Sequence, residues 1–489
     1  MIDLETPPTT DIVMSAVLKK YKFPFESRPF QKAAIEGLAT ENRTGWYADP
    51  GTGKTYMGTA FALYHKMHCY KHMTCFVIVP PILLRAWHRW LTKQVEGIDP
   101  EKVVIYRGSK KQREKIRSKL VGAEFIILSL GILKNDRQYF DEMFADEEIM
   151  AVVDEAQIVK NSTSDNYKNV RDFFNGSPLA LMTGTPVTTP MDAYAYVKLI
   201  SPLAYRSLGQ FKDVHVGAED MYGTVTKWNN LDQLHFNLGI NAMRAEKDKV
   251  LKHLKKPNYI PLYYDLDPRH KKVYDQLMDQ QILELESGGK VDALSTSNLF
   301  HRAQQIICNW GYFSEFEEVS GKRSAILDLI DAVIDEIGLG PKRKLIIFAS
   351  YKETNRRMLE YLKPYGVVGA YSKIPKMQQE KNFERFLDDP KCLIFQANPL
   401  SAGMGLNPQE VCSDVLFIEE PLTPPLFKQA IGRVDRDGQK RVPNIRIAIA
   451  GGTIQVPLHG RLMDKDDLIT QVQGDSQTLR GLIQGREAV

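Results

Sequence analysis

Residues 48–55 of the chain read Ala-Asp-Pro-Gly-Thr-Gly-Lys-Thr and fit the pattern A/G-x-x-x-x-G-K-S/T. A helical stretch, Tyr56–Lys66, follows at once, as a loop of this kind requires. The two glycines let backbone N–H groups wrap around phosphates at the N-terminus of that helix. The stretch therefore predicts a nucleotide site with the contact residues Asp49, Pro50, Gly51, Thr52, Gly53, Lys54 and Thr55, in which the lysine neutralises phosphate oxygens and the last threonine binds Mg²⁺.

Two adjacent carboxylates follow a second apolar strand. Asp154-Glu155-Ala156-Gln157 comes directly after Met150–Val153, and the carboxyl ends of strands are where α/β folds bind ligands. We predict that Asp154 holds Mg²⁺, directly or through water. We predict that Glu155 orients and deprotonates the attacking water.

A pair of arginines lies far along the chain, in Gln429–Gln439. Arg433 and Arg436 are three residues apart, which predicts that they share one face of a short helix. Two guanidinium groups suit the spread charge of a phosphoryl group in transfer. A nucleotide contacted by two distant parts of the chain predicts a protein with two lobes.

Short apolar runs alternate with helical segments in both halves of the chain. Continuous apolar strands between helices indicate parallel sheets that are buried on both faces. Two such sets predict an α/β fold with two doubly wound parallel-sheet lobes. The runs are Phe76–Val79, Phe125–Leu128, Met150–Val153 and Leu179–Met182 in the first half, and Leu345–Phe348, Val367–Ala370, Leu393–Phe395, Val415–Ile418 and Ile445–Ile449 in the second.

The alternation is missing between the two sets. We therefore predict a first lobe over residues 1–206 and a mainly helical insertion, with one strand at Tyr259–Leu266, over 207–320. The second lobe covers 321–456, and a C-terminal tail covers 457–489.

Composition narrows the class of protein. A hydrophobic content of 43% and a charged content of 25% are ordinary for a soluble globular protein. The five cysteines are few and scattered, which favours a reducing compartment over a disulfide framework. The N-terminus lacks an apolar signal core, and no run approaches the roughly 18 apolar residues of a membrane span. We expect a soluble, cytoplasmic monomer that needs no membrane.

A third segment, Thr183-Gly184-Thr185-Pro186, follows the strand Leu179–Met182, and small hydroxyl residues at such a turn can link a nucleotide site to a track-binding surface by hydrogen bonds. Taken in order, the phosphate loop, the acidic box and this turn, with the arginine segment further on, resemble those of the superfamily-two helicases, and within them the Swi/Snf-related DNA translocases. The resemblance runs from about Arg28 to Val442 and implies two RecA-like lobes with ATP bound between them. Further matching segments are Arg28–Gln31, Ile78–Trp87, Lys160-Asn161, Leu266-Asp267-Pro268 and Ser401–Asn407.

The resemblance implies roles for individual residues. Gln31 would read the adenine base, and ATP and Mg²⁺ would be the cofactors. Gln429 would support Arg433 and Arg436 as they reach the γ-phosphate. DNA would be the partner, with contacts near Pro80, Arg85, Ser129, Thr183, Ser401, Gly403 and Asn407. ATP binding would close the lobes and hydrolysis would reopen them, moving the protein along one strand.

The chain also departs from the Swi/Snf pattern. Leu422-Thr423-Pro424 stands where Trp-Asn-Pro is usual, and the acidic box ends in Gln157 instead of His. Gly432 precedes the first arginine, and Asp435 replaces a His between the two. These departures favour the compact viral or bacterial members, which act on replication and recombination intermediates, over chromatin remodelling.

Two other patterns have competing interpretations. The basic clusters Lys110–Lys119 and Lys247–Lys256, the latter with Arg269–Lys272, indicate either phosphate contacts or solvated helix faces. His65, His68, Cys69, His72 and Cys75 have a spacing that resembles metal ligands, but they fall on the helix and strand after the phosphate loop, and we predict no zinc.

We expect an ATP-dependent DNA helicase or translocase that works on forked or branched DNA. A translocase that tracks duplex DNA without separating strands is an alternative, and so is an RNA helicase. An ATP-binding scaffold without turnover is a different class of protein. The presence of Lys54, Asp154, Glu155, Arg433 and Arg436 argues against such a scaffold.

Overall fold

The computed structural model describes residues 12–69, 72–187, 189–219, 221, 225–268, 270–276, 278, 301–308, 325–399, 408–421, 424–456 and 458–460. Over these residues the chain forms two compact units, which divide between Lys252 and His253.

The first unit contains twelve labelled helices and nine strands. The helices are α1 (Ile12–Lys20), α2 (Pro29–Leu38), α3 (Lys54–His68), α4 (Leu84–Arg89), α5 (Lys110–Ile116), α6 (Leu130–Asn135), α7 (Arg137–Met143), α8 (Asp165–Phe173), α9 (Pro190–Ile200), α10 (Leu208–His215), α11 (Leu231–Leu238) and α12 (Lys247–Val250). The strands are β1 (Arg43–Ala48), β2 (Met73–Ile78), β3 (Val103–Ile105), β4 (Phe125–Leu128), β5 (Glu148–Asp154), β6 (Leu179–Thr183), β7 (Val216–Glu219), β8 (Val225–Trp228) and β9 (Ala242–Ala245).

Seven of these strands form one parallel sheet in the order β3-β4-β2-β5-β6-β1-β9. The central strands are buried along nearly their whole length, and Phe76, Ile126, Val153 and Leu181 lie in their core. Because β5, β6 and β1 are neighbours, the residues at their carboxyl ends come to one edge of the sheet. This edge carries the phosphate loop, the acidic box and the turn after β6.

The second unit holds a six-stranded parallel sheet in the order β10-β15-β14-β11-β13-β12. Its apolar core includes Ile330, Ile347, Leu416 and Ala448. Its strands are β10 (Asn258–Tyr264), β11 (Lys344–Phe348), β12 (Val367–Ala370), β13 (Ile394–Ala397), β14 (Cys412–Phe417) and β15 (Asn444–Ala450). Its labelled helices are α13 (Ala325–Ile337), α14 (Lys352–Tyr361), α15 (Lys376–Asp388) and α16 (Pro424–Ile431).

The two parallel sheets confirm the predicted fold class. Each predicted apolar run coincides with a strand, with shifts of a few residues at the ends. β1, which leads into the phosphate loop, was not predicted, because its sequence Arg-Thr-Gly-Trp-Tyr-Ala has no aliphatic run. Trp46 and Tyr47 nevertheless supply large buried side chains to the sheet.

The boundary after the first lobe differs from the predicted one at residue 206. β9 lies within the predicted insertion, yet it pairs with β1 and extends the first sheet. β10, also within that range, pairs with β15 in the second unit. The described part of residues 207–320 is therefore shared between the two units. Short strands such as Ala242–Ala245 are buried by the sheet they join, and a four-residue run carries too little periodicity to show this.

Candidate nucleotide site and arginine segment

The phosphate loop joins β1 to α3 at the carboxyl edge of the first sheet. Gly51 and Gly53 have φ angles of 84° and 89°, in the left-handed region that a side chain disfavours. The Thr52 hydroxyl donates to the Asp49 carbonyl at 2.7 Å and closes the turn from within. The loop therefore has the backbone turn that phosphate binding at a helix N-terminus requires.

Lys54 lies inside this loop. Its Nζ donates to the carbonyls of Ala48 at 2.5 Å and Asp49 at 3.2 Å. Burial lowers the pKa of Lys54, while the negative charges of Glu155 and Asp154 oppose that shift. The structure therefore brings the predicted phosphate-binding lysine close to the predicted acidic box.

Gln31, the predicted adenine contact, is anchored against the same loop. Its side chain is 5% exposed, and its Nε2 donates to the Thr52 carbonyl at 2.9 Å. Its Oε1 accepts a hydrogen bond from the Arg28 backbone N–H at 2.9 Å. An amide side chain has a second N–H and a second lone pair, so these two contacts are compatible with base recognition by Gln31. The adenine contact stays a prediction.

Asp154 is the buried end of β5. Its Oδ2 accepts a hydrogen bond from the Trp87 indole N–H at 2.9 Å, and its Oδ1 accepts from the Glu155 backbone N–H at 3.0 Å. Burial, followed by the neighbouring charge of Glu155, raises the pKa of Asp154 to about 6, and the indole bond and Lys54 oppose that rise. Trp87 on α4 is thus a site residue that sequence reasoning did not identify. Its position in Ile78–Trp87 was known, but its partner was not.

Glu155 has an unusual backbone and a held side chain. Its φ of 52° lies in the left-handed region, which costs a non-glycine residue on the order of 1–3 kcal/mol and is concentrated at functional sites. Its Oε2 accepts a hydrogen bond from Gln157 Nε2 at 2.9 Å. Gln157 Oε1 in turn accepts from the Thr183 hydroxyl at 2.8 Å. A chain of hydrogen bonds therefore joins the acidic box to the end of β6.

Thr183, which is predicted to lie near or on the DNA path, is buried at the end of β6. Its side chain is 0% exposed, and its hydroxyl both donates to Gln157 and accepts from the Thr185 backbone N–H at 3.1 Å. The expectation that the backbone and hydroxyls around Thr183 lie near or on the DNA path stays a prediction. The Thr183 hydroxyl itself joins the turn after β6 to the acidic box.

Arg244, on β9, contacts the phosphate loop from the other side. Its guanidinium forms an ion pair with Asp49, with Nη2 and Oδ1 3.1 Å apart, and its Nη1 donates to the Gly184 carbonyl at 3.1 Å. Asp49 Oδ2 also accepts from the backbone N–H of Lys247 at 3.0 Å. Sequence reasoning placed Arg244 in the basic insertion and missed this position.

The donor set at the edge of the sheet fits Mg²⁺. Asp154 offers a carboxylate whose two oxygens each accept one hydrogen bond and retain a lone pair, and Thr55 offers a hydroxyl on the first turn of α3. Mg²⁺ commonly binds through one or two carboxylates together with substrate phosphates and water.

The other predicted DNA contacts lie in several environments. Arg85 is exposed on α4, Pro80 is half-buried just before the turn Pro81–Leu83, and Ser129 is 8% exposed at the start of α6. Ser401, Gly403 and Asn407 lie outside the described residues.

The basic cluster Lys110–Lys119 divides into two groups. Arg113 is buried and forms an ion pair with Asp136, with Nε and Oδ2 2.7 Å apart, while Arg117 stacks over the Tyr139 ring at 3.8 Å. These two arginines hold α5 in place. Lys110, Lys111, Lys115 and Lys119 are exposed and remain available for phosphate contact.

The arginine pair is not on a helix. α16 contains Gln429 but ends at Ile431, and Arg433 and Arg436 lie in the turns that follow. Backbone N–H groups there bond three or four residues back, as in Gly432 to Lys428, and the regular helix does not continue. Burial and the nearby charge of Arg433 lower the pKa of Arg436 to about 10. The two guanidinium groups are nonetheless close enough to interact, as their spacing predicted.

Glu419 is a second buried carboxylate that sequence reasoning missed. It follows β14, and accepts hydrogen bonds from the backbone N–H groups of Ser350 at 2.6 Å and Tyr351 at 2.9 Å, and from the Thr354 hydroxyl at 2.5 Å. Burial raises the pKa of Glu419 to about 7. Glu419 therefore ties the end of β14 to the start of α14.

Within the described ranges, no group of three or more His, Cys, Asp and Glu side chains could hold a metal ion. His65, His68 and His72 each contact a backbone carbonyl, those of Glu41, Tyr64 and Ala123 respectively. The same described residues contain no helix with the length and apolar character of a membrane span.

Two family models match the chain. The SNF2-related domain matches residues 38–311, and the helicase conserved C-terminal domain matches residues 325–438. The first match contains the phosphate loop and the acidic box, and the second contains Arg433 and Arg436.

Known proteins resemble the chain over most of its length. A protein described as an uncharacterized ATP-dependent helicase of Mycoplasma pneumoniae is 25% identical over 91% of this chain and 40% of its own length. The human SWI/SNF-related matrix-associated actin-dependent regulator of chromatin subfamily A member 1 is 24% identical over 83% of this chain and 39% of its own length. The human DNA annealing helicase and endonuclease ZRANB3 is 23% identical over 93% of this chain and 40% of its own length. The chain thus spans about two fifths of the length of these curated relatives.

Among solved structures, the SWI2/SNF2 ATPase core of Sulfolobus solfataricus in complex with dsDNA is similar. It shares 19% identity, covers 95% of this chain and 98% of that chain, and superposes with a TM-score of 0.42. The SNF2-related domain matches more than half of the chain. The chain therefore belongs to the SNF2-related branch of the superfamily-two, ATP-dependent helicase enzymes.

Proposed function

We propose that the chain hydrolyses ATP and couples hydrolysis to movement along DNA, acting on forked or branched intermediates of replication or recombination. The observation that carries this proposal is the cluster at the edge of the first sheet. Lys54 interacts with Asp154 and Glu155, and Glu155 is held through Gln157 by the buried Thr183.

This cluster supplies what phosphoryl transfer needs. Lys54 and the loop N–H groups bind the phosphates, and Thr55 and Asp154 hold Mg²⁺, which would neutralise developing charge on the phosphate oxygens. Glu155 orients a water molecule and accepts its proton. Arg433, Arg436 and Gln429 belong to the second unit. Following the family resemblance, we propose that the two arginines, supported by Gln429, supply positive charge to the transferring group.

Several observations support DNA as the track. The relatives include proteins named as ATP-dependent helicase and as DNA annealing helicase. Lysines at 110, 111, 115, 119, 249, 252, 255 and 256 are exposed, and such side chains neutralise backbone phosphates whatever the base sequence.

A preference for forks or branches is the finer part of the proposal. Gly432 and Asp435 depart from the remodelling pattern, and DNA annealing, named for one relative, requires partly unpaired DNA. We propose that this activity belongs to the cytoplasm of bacterial or virus-infected cells. The five free thiols support the reducing character of that compartment but do not bear on the host. We expect the working form to be a monomer.

The test is ATP hydrolysis and strand displacement measured on single strands, duplex, forks, four-way junctions and single-stranded RNA. We expect DNA to stimulate hydrolysis and forks or junctions to be remodelled, with Lys54→Ala as the inactive control. Full stimulation by plain duplex with no strand displaced would show a duplex-tracking translocase. Equal stimulation of hydrolysis by RNA and DNA would contradict the proposed preference for DNA. ATP binding without hydrolysis would indicate an ATP-binding scaffold instead of an enzyme.

A further inference from the structure

The phosphate loop and the hydrolytic carboxylate lie on different segments of the first unit. The loop follows β1, whereas Glu155 is held through Gln157 by Thr183 at the end of β6. For ATP turnover, both segments must keep their spacing to within a fraction of an ångström. A side chain that fastens the loop directly to the turn after β6 would provide that spacing.

Arg244 makes both attachments with one guanidinium group. Nη2 pairs with Asp49 in the loop, and Nη1 donates to the carbonyl of Gly184, the residue after Thr183. A guanidinium is planar and rigid, so its two donors fix the distance between the groups they bind. The Arg244 side chain is largely shielded from solvent, with 13% of its surface exposed, which strengthens the ion pair relative to one at the surface.

Two other contacts show that the loop is packed against its surroundings here. The Asp49 backbone N–H donates to the Ala245 carbonyl at 3.0 Å, and the Lys247 N–H donates to the Asp49 carboxylate. A Cβ atom on Gly184 would lie 3.2 Å from the Pro50 ring, so the turn after β6 rests directly on the loop.

We propose that Arg244 is a positioning residue that locks the phosphate loop to the turn after β6. It thereby holds the phosphate-binding groups in register with the Thr183–Gln157–Glu155 chain of hydrogen bonds. The proposal rests on the proposed nucleotide site. Arg244 does not touch the reacting atoms in this assignment, and its effect passes through Asp49 and Gly184.

The test compares Arg244→Gln with Arg43→Gln. Arg43 is a matched control because its guanidinium also donates to two backbone carbonyls, of Leu199 and Phe174, but at the opposite end of β1 from the loop. Arg244→Lys keeps the positive charge but lacks the planar guanidinium group that makes both contacts. Asp49→Asn removes the negative charge of the partner side chain.

The first readout is amide hydrogen exchange of the protein without nucleotide. We expect Arg244→Gln to speed exchange of the Thr52, Thr185 and Lys247 amides about tenfold or more, since each is bonded within the locked region. Arg43→Gln should leave these three amides unchanged. Unchanged exchange in Arg244→Gln would overturn the lock.

The second readout is the affinity for a fluorescent ADP analogue. We expect Arg244→Gln and Asp49→Asn each to weaken binding about tenfold, and the double variant to be no weaker than Asp49→Asn alone. Additive losses in the double variant would show that the two residues act independently and would overturn the proposal. If the wild type bound the analogue and Arg244→Gln sped up the three amides, but the wild type never hydrolysed ATP, the proposed function would be wrong. The positioning role of Arg244 would still be supported.

Discussion

Replacing Trp87 by Phe removes one donor from the buried Asp154 carboxylate and keeps an aromatic ring in place. The indole N–H bond to Oδ2 is 2.9 Å long, and Trp87 is 3% exposed. A hydrogen bond to a charged group contributes on the order of 1.5–3 kcal/mol, against about 0.5–1.5 for a neutral one. We expect ATP turnover to fall about tenfold, which corresponds to ~1.4 kcal/mol, because the carboxylate loses its orientation.

Trp90→Phe is the matched control. Trp90 donates its indole N–H to the Thr59 hydroxyl, also at 2.9 Å, but has no bond to the acidic box. Trp87 is buried and Trp90 is half-buried, so Trp87→Phe also loses more buried ring area. We therefore expect Trp87→Phe to lower the unfolding free energy by about 1 kcal/mol or more beyond Trp90→Phe, from the charge-assisted bond and the ring burial together. Trp90→Phe should keep turnover within about twofold of the wild type, since it breaks only a neutral bond.

The effect should depend on pH. The indole bond holds down the pKa of Asp154, which burial has already raised to about 6. Without it that pKa rises further in the Mg²⁺-free protein, so protons compete better with Mg²⁺ for the carboxylate, and the loss of turnover should be larger at about pH 6.5 than at about pH 8. Steady-state ATP hydrolysis at subsaturating Mg²⁺, measured at both pH values, gives the loss at each pH. Wild-type turnover by Trp87→Phe at both pH values would refute the claim that Trp87 positions Asp154.

Two further predictions concern the hydrogen-bond chain and the second unit. Thr183→Val leaves Gln157 Oε1 and the Thr185 N–H without their partner, so we expect about 1–3 kcal/mol lower unfolding free energy and a several-fold smaller stimulation of ATP hydrolysis by DNA, with near wild-type ADP affinity. Unchanged stimulation by DNA would show that the Thr183–Gln157–Glu155 hydrogen bonds do not link DNA binding to ATP hydrolysis. Glu419 has a pKa raised from 4.5 to about 7, so its contribution to stability is complete below about 4.5 and is lost as pH rises through 7, a difference on the order of 3 kcal/mol. Urea unfolding across this pH window should show a flatter dependence for Glu419→Gln, and identical pH dependence in both proteins would contradict this reasoning.

The sequence was sufficient for the fold class because buried parallel strands are continuous apolar runs. Phe125–Leu128 and Val367–Ala370 were predicted with the bounds that the structure shows. β1 and β9 were missed because their burial comes from neighbouring strands and is not visible in Arg-Thr-Gly-Trp-Tyr-Ala or Ala-Met-Arg-Ala. Propensity in such short segments is overridden by tertiary contacts.

The candidate site was predictable only where a motif fixes local geometry. The phosphate loop and the acidic box come together because β1, β6 and β5 are neighbours, an order that spacing in the sequence does not reveal. Trp87, Arg244 and Glu419 act through partners that are distant in sequence. The helix expected under Arg433 and Arg436 ended early, at Ile431, just before the glycine at position 432. Glycine is among the weakest helix formers.

The most direct test of the proposed chemistry is ATP hydrolysis by Glu155→Gln with and without DNA. The substitution keeps the shape of the side chain at the strained position after β5 but removes the group that accepts the proton from water. We predict that the variant binds ATP with near wild-type affinity and hydrolyses it about a hundredfold or more slowly, with no recovery on adding DNA. Hydrolysis at the wild-type rate would contradict the assignment of Glu155 and, with it, the proposed mechanism.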